Sequence, residues 1–172
     1  MTEIIMRPSA RVLLADQDDR ILLFRGSDGT WFTPGGGLDP GEPVEVAAAR
    51  ELREETGYLV TPENLGRVVA VGAGHWRGGW DGLLYYSVES YFFLRVTGFT
   101  VDTSGFTDHE RRDIGEHRWW SVADLRTTGE NVVPWGLVGL LERLHAGQPP
   151  ADPVRLPWHH PEFAHLAAPE PH

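Results

Sequence analysis

The stretch Gly36 to Tyr58, GGLDPGEPVEVAAARELREETGY, constrains this chain more than any other. A glycine-rich turn runs into a helix start at Glu42 and Pro43, because proline suits the first helical position and an acid there complements the helix dipole. The helix is expected to continue to about Thr56, with Gly57 as its left-handed cap. At roughly 100° per residue, Val44, Ala47 and Ala48 share one narrow arc with Glu51, Glu54 and Glu55. The apolar stripe that should face a core therefore runs straight into carboxylates. Three acids at i, i+3 and i+4 repel one another unless something positive sits among them. Hard dications take carboxylate and carbonyl oxygens, and Mg²⁺ commonly contacts substrate phosphates as well. The pattern points to a divalent-metal site for a phosphate-rich ligand, against the alternative of a solvated acidic helix face. The glycine turn can supply a carbonyl to the same site, and Arg50, beside the arc, can hold a carboxylate by a bidentate pair.

Around this helix the chain reads mainly as strands. Arg11 to Asp16 and Arg20 to Arg25 are apolar runs separated by Gln17, Asp18 and Asp19, the composition of a hairpin. Residues 30 to 34 are β-prone and deliver the chain into Gly35, Gly36 and Gly37. Leu65 to Val71 reads as a strand, Gly72 to Gly82 as a loop or bulged edge, and Leu83 to Val96 as a long strand. Thr100 to Arg112 reads as loop, and His117 to Trp120 as a short strand. Ser121 is placed to cap a helix over residues 122 to 126. Pro134 is positioned to open a second long helix, with Trp135, Val138, Leu141 and Leu144 at helical spacing and Gly147 past its end. Seven prolines after Gly147 preclude regular structure over most of the tail, which reads as a peripheral appendage. The expected division is a domain over residues 1–147 and a proline-rich tail over 148–172. Strands flanking a central helix argue for an α/β or α+β layered domain with a mixed sheet.

With 25 Asp and Glu against 15 Lys and Arg, the formal charge of -10 disfavours a polymeric nucleic-acid partner, whose binding rests on basic patches. A small phosphorylated ligand remains compatible, because a bound dication inverts the local field. The absence of cysteine excludes disulfides and thiolate metal sites and agrees with a reducing cytosol. The first residues lack the apolar core of a signal peptide. No window approaches the roughly 18 apolar residues of a membrane span. The expectation is a soluble, cytoplasmic protein without a membrane partner.

The central stretch closely resembles the box of the Nudix hydrolase family, G-x5-E-x7-R-E-U-x-E-E-x-G-U, where U is a bulky aliphatic residue. Gly36, Glu42, Arg50, Glu51, Leu52, Glu54, Glu55 and Gly57 fall on its positions, and only Tyr58 departs, being aromatic. The approach TWFTPGGGLDPGE and the later HRWWSVADL also resemble segments of that family. The resemblance implies an α/β/α sandwich with a mixed sheet, and Mg²⁺- or Mn²⁺-dependent hydrolysis of a nucleoside diphosphate linked to another group. It implies Glu51, Glu54 and Glu55 as metal ligands, with the carbonyl of Gly35 as a further one. Arg50 would orient a glutamate, and Glu42 would stand behind it. The proton acceptor differs among relatives. Glu51 and Glu54 are candidates in the box, and Asp113 is the matching acid in a later loop, with Glu110 or Glu116 able to substitute.

Trp76, Arg77 and Trp80 follow the box in a glycine-rich segment with His75, and their planes can stack on a base or ribose. Edge packing or a homodimer contact is the competing role. His159, His160 and His165 lie among prolines and read as peripheral. The proline that marks ADP-ribose-type relatives is absent after the box, where Ala73, Gly74 and His75 stand, and so is the tyrosine of dinucleoside-polyphosphate types. The resulting expectation is a pyrophosphohydrolase acting on a small nucleoside diphosphate derivative or nucleoside triphosphate. A non-hydrolytic nucleotide sensor on the same fold is the alternative, and the intact box acids argue against it.

Overall fold

The computed structural model describes residues 3–170, and within them strands β1 (Ile4–Met6), β2 (Ser9–Ala15), β3 (Ile21–Gly26), β4 (Trp31–Phe32) and β5 (Gly35–Gly37) precede helix α1 (Val44–Thr56). Strands β6 (Ala70–Arg77) and β7 (Leu84–Arg95) follow, then α2 (Asp108–Asp113), β8 (Ile114–Trp120), α3 (Val122–Thr127), α4 (Leu137–His145) and β9 (Val154–Arg155). Among the described residues the strands form one nine-stranded mixed sheet. At its centre β2 runs parallel to β7, with Ser9 opposite Glu89 and Ala15 opposite Arg95.

Side chains alternate across a strand, so each central strand feeds two cores. Val12 and Leu14 of β2, with Leu22 and Phe24 of β3, pack on Ala47, Ala48 and Leu52 of α1. Leu13, Ile21 and Leu23 point the other way, onto Leu137, Leu140, Leu141 and Leu144 of α4. The result is the expected α/β/α sandwich. Helix α1 ends at Gly57, whose φ of 77° is the left-handed cap. Ser121 caps α3 through a hydrogen bond from the Asp124 amide, as its position suggested. No helix of the described residues is long and apolar enough to cross a membrane.

Several elements differ from the sequence expectation. Residues 62–65 form a 3₁₀ turn, and the strand begins only at Ala70 and continues to Arg77. Gly72 to Arg77 are thus paired strand rather than loop, and the turn is confined to the residues between β6 and β7. The glycines fit a strand here because Trp158 lies on them: a β-carbon at Gly74 would stand 2.3 Å from its Cδ1. The polar segment before β8 contains α2, and β8 starts at Ile114. Helix α4 begins after Gly136, whose φ is +83°, so Pro134 and Trp135 precede it.

The tail is not a loose appendage. β9 adds to the sheet in parallel with β6, pairing Val154 with Ala70. Leu156 is buried in the α4-side core, the Trp158 indole N–H donates to the His75 carbonyl at 2.8 Å, and Arg67 holds the carbonyls of Pro150 and Ala151. Prolines bar long ladders but leave two paired residues and an apolar anchor.

Candidate active site

Strand β5 and helix α1 meet at a glycine edge. Gly35 has φ +139°, and a β-carbon there would stand 2.1 Å from the Ala10 carbonyl oxygen. A β-carbon on Gly36 would stand 2.6 Å from Oε1 of Glu51. Only glycine allows the carboxylates of α1 to press against this strand. The Gly35 amide donates to Oε2 of Glu55 at 2.8 Å. Glu51 and Glu55 are both buried, on the side of α1 that also carries Ala47, Ala48 and Leu52. The inward aim expected from the helical spacing is therefore present for these two.

A third carboxylate reaches them from α2. Thr107 and Glu110 form a capping box: the Thr107 amide donates to Oε2 of Glu110 at 2.7 Å, and the Glu110 amide donates to the Thr107 hydroxyl at 3.2 Å. So anchored, Glu110 brings one oxygen into a cluster with Glu51 and Glu55, in which all three lie within 4.8 Å of one another. Burial pushes the Glu55 carboxyl well above the ordinary carboxylate range, and the nearby Glu51 adds to the shift. Burial also raises Glu51, against the opposing pull of Arg50. Acids held together and drained of solvent favour a proton or a cation, and three oxygen donors suit a hard dication. The residues present fit such an ion.

Arg50 organises the outer side of this cluster. Its Nε and Nη2 grip the two oxygens of Glu42, each at 2.9 Å, its Nη1 reaches Oε1 of Glu51 at 2.9 Å, and its Nη2 also donates to the Gly37 carbonyl at 3.2 Å. The guanidinium draws the Glu42 carboxyl down to about 2. Arg50 thus touches the glutamate it was expected to orient, with Glu42 behind it.

Other expected residues stand differently. Glu54 lies at the open edge of the helix face, 3.4 Å from Arg50 Nη1, and outside the three-carboxylate cluster. The Gly35 carbonyl accepts a hydrogen bond from Arg11 Nη1 at 3.1 Å. Asp113 bonds its neighbour His109 at 2.8 Å, while Glu116 pairs with Arg25 at 3.2 Å. Neither joins the cluster; Glu110 does. The sequence does carry a signal for this, because Thr107 followed three residues later by Glu110 has capping-box spacing.

Beside the glycine edge lies a cavity of about 260 Å³, which Gly36, Gly37, Trp76 and Trp80 help to line. Trp76 stacks on Tyr85 with centroids 4.7 Å apart, and Trp80 tilts against both. The Arg7 guanidinium lies 5.5 Å from the Trp80 centroid and 5.7 Å from that of Trp76. Arg77 is instead tied to the turn, donating to the Gly82 carbonyl at 2.7 Å, and does not line the cavity. Sequence reasoning missed Arg7, Arg11, Glu89 and the tail residues Trp158, His159 and His160, which line it too. A tryptophan in a polar, proline-rich tail was the available signal, since so large an apolar surface favours burial.

Comparison with known proteins places this site in context. The NUDIX domain family profile matches residues 6–141. The chain is 30% identical over 148 residues to an RNA pyrophosphohydrolase of Sphingopyxis alaskensis, an alignment covering 75% of this chain and 84% of the relative. It is 32% identical over 119 residues to the 8-oxo-dGDP phosphatase NUDT18 of Mus musculus, covering 67% of this chain and 32% of that protein. An ADP-ribose pyrophosphatase from Streptococcus suis shares the fold, with a TM-score of 0.57 and 21% identity over 87% of this chain and 97% of that one. The tail residues lining the cavity lie beyond the matched span.

Proposed function

The chain belongs to the Nudix hydrolase family, and from that premise we propose that it uses Mg²⁺ or Mn²⁺ to hydrolyse the diphosphate linkage of a small nucleoside diphosphate derivative or nucleoside triphosphate. The observation that carries this reading is the convergence of Glu51, Glu55 and Glu110 within 4.8 Å, beside a cavity lined by aromatic rings. Glu51 and Glu55 would hold the ion, with Glu54 at the open edge as a further ligand. When bound, a dication neutralises diphosphate oxygens and activates water. Arg50 fixes Glu51 in place. Glu110, immobilised at one oxygen by the Thr107 amide, takes the proton from the attacking water as general base, in place of Asp113. The glycine edge brings backbone close to the phosphates, and Trp76 and Trp80 offer surfaces to the rest of the substrate, while Arg77 serves the turn.

A second reading, the 5′ end of an RNA, is favoured by the similarity to the RNA pyrophosphohydrolase of Sphingopyxis alaskensis. The formal charge of -10 weighs against a long RNA. Incubation with Mg²⁺ and a panel of nucleoside triphosphates, nucleoside diphosphate derivatives and a 5′-triphosphorylated RNA, with products followed by ³¹P NMR, tests both. Turnover of the small compounds is expected. Cleavage confined to RNA overturns the first reading in favour of the second, and no cleavage of any member overturns both.

A further inference from the structure

We propose that the C-terminal segment around His159 and His160 is the specificity-determining wall of the substrate pocket, and that it receives a nucleobase presenting N–H donors. This deepens the hydrolase reading and rests on it for the identity of the substrate. The placement itself comes from the chain's own packing.

The cavity of about 260 Å³ is bounded by Gly36 and Gly37, and the Glu51 carboxylate lies directly on Gly36. A ligand filling it has its phosphate end directed at the acidic cluster. Its volume falls just below the roughly 300–1,000 Å³ usual for small-molecule pockets, which suits a single base or nucleoside. Part of the lining is Trp76 and Trp80 with the Arg7 guanidinium over them. The tail supplies another part as a run of planes: Trp158 and His159 have centroids 4.5 Å apart, and His159 and His160 4.8 Å apart. Planar groups from both ends of the chain thus flank one space, an arrangement that fits a flat heterocycle.

Arg7 and Arg11 bring positive charge to the glycine-edge side of the cavity, where the phosphate end would lie, whereas Glu89 gives the cavity an acceptor suited to a base. Glu89 is buried in its lining, accepting from the Tyr91 hydroxyl at 2.5 Å and from Arg11 Nη2 at 3.5 Å. A carboxylate offers about four acceptor sites, so Glu89 keeps capacity for the N–H edge of a base. Burial lowers the His159 pKa to about 4, which leaves its imidazole neutral near pH 7, suited to stacking rather than to anion binding. The segment is held by its own anchors, the Trp158 bond to the His75 carbonyl and the pairing of β9 with β6. It is therefore a fixed wall.

The test needs neither metal nor turnover, so it succeeds or fails apart from the hydrolase reading. Binding of AMP, GMP, CMP and UMP to the full chain is followed by tryptophan fluorescence, with ribose 5-phosphate as the base-free control. His159→Ala is expected to weaken binding of the preferred nucleotide by at least about tenfold, while ribose 5-phosphate binding and the thermal melt stay unchanged. Gly74→Ala, which displaces Trp158 from outside the tail, should likewise weaken nucleotide binding more than ribose 5-phosphate binding, with a lower melt because the Trp158 anchor is lost. Equal nucleotide affinity in wild type and His159→Ala overturns the proposal, as does a parallel loss for ribose 5-phosphate or no discrimination in favour of nucleotides by wild type.

Discussion

Gly36 lies so close beneath Glu51 that a β-carbon on it would stand 2.6 Å from Oε1 and 2.8 Å from the carboxyl carbon. The atom in the way is the end of a side chain, so Gly36→Ala should move Glu51 while leaving the fold in place. Misplacement of a reacting group by about 1 Å costs on the order of 100-fold in rate. We expect a loss of that order with little change in melting temperature. Gly35→Ala meets backbone at 2.1 Å and a φ of +139°, and should destabilise the protein by about 1–3 kcal/mol or more. Melts and initial rates of the two variants separate these outcomes.

Glu110 and Asp113 are three residues apart but face different tasks. Glu110→Gln should lower kcat by roughly 100- to 10,000-fold, the range for loss of a general base. Mn²⁺ binding, read by electron paramagnetic resonance, should weaken far less in that variant than in Glu55→Gln. Asp113→Asn, which alters only a surface pair with His109, should leave the rate near wild type. The reverse order of effects would return the role of base to Asp113.

Arg50 spans Glu42, Glu51 and the Gly37 carbonyl with one planar fork. Lysine keeps the charge but cannot make the bidentate contact. Arg50→Lys should cost about 1–3 kcal/mol of stability and lower kcat more than it raises KM, because Glu51 loses its restraint. Denaturant unfolding and steady-state kinetics check both halves.

Glu55 has its folded-state pKa raised by burial and by Glu51. Its unfolded value is about 4.3, so the stability it contributes is fully present below that value and is lost as pH rises through the folded pKa. Glu55→Gln keeps an oxygen for the Gly35 amide and removes the charge. Without metal, the variant should gain stability relative to wild type as pH goes from about 5 to 8. Added Mg²⁺ should reverse the advantage. Melts of both proteins across that range, with EDTA and with Mg²⁺, measure the difference, and parallel curves would remove the burial argument.

Much of the fold was legible because its signals are local. Helix α1 shows its apolar spacing and its terminal glycine, β2, β3 and β7 show apolar runs, and Ser121 announces α3. The acidic cluster was half legible: Glu51 and Glu55 follow from the helical arc, whereas Glu54 follows the same arc yet ends at its open edge. What stayed hidden depends on partners distant in sequence. The glycines of β6 read as loop because the volume beside them is filled by Trp158. The tail read as peripheral because neither β9 nor the Leu156 anchor has a periodic pattern of its own. Glu110 stands out in the sequence only as a substitute for Asp113, because α2 carries no buried residue to mark it as a helix.

The central claim, that buried carboxylates of α1 hold a dication essential for hydrolysis, is tested most directly by titrating Mg²⁺ into wild type and Glu55→Gln while following phosphate-containing products from the best substrate. No turnover is expected in EDTA, with a saturable rise for wild type and a requirement for at least about tenfold more Mg²⁺ in the variant. Turnover that persists in EDTA, or identical Mg²⁺ dependence in the two proteins, would contradict it.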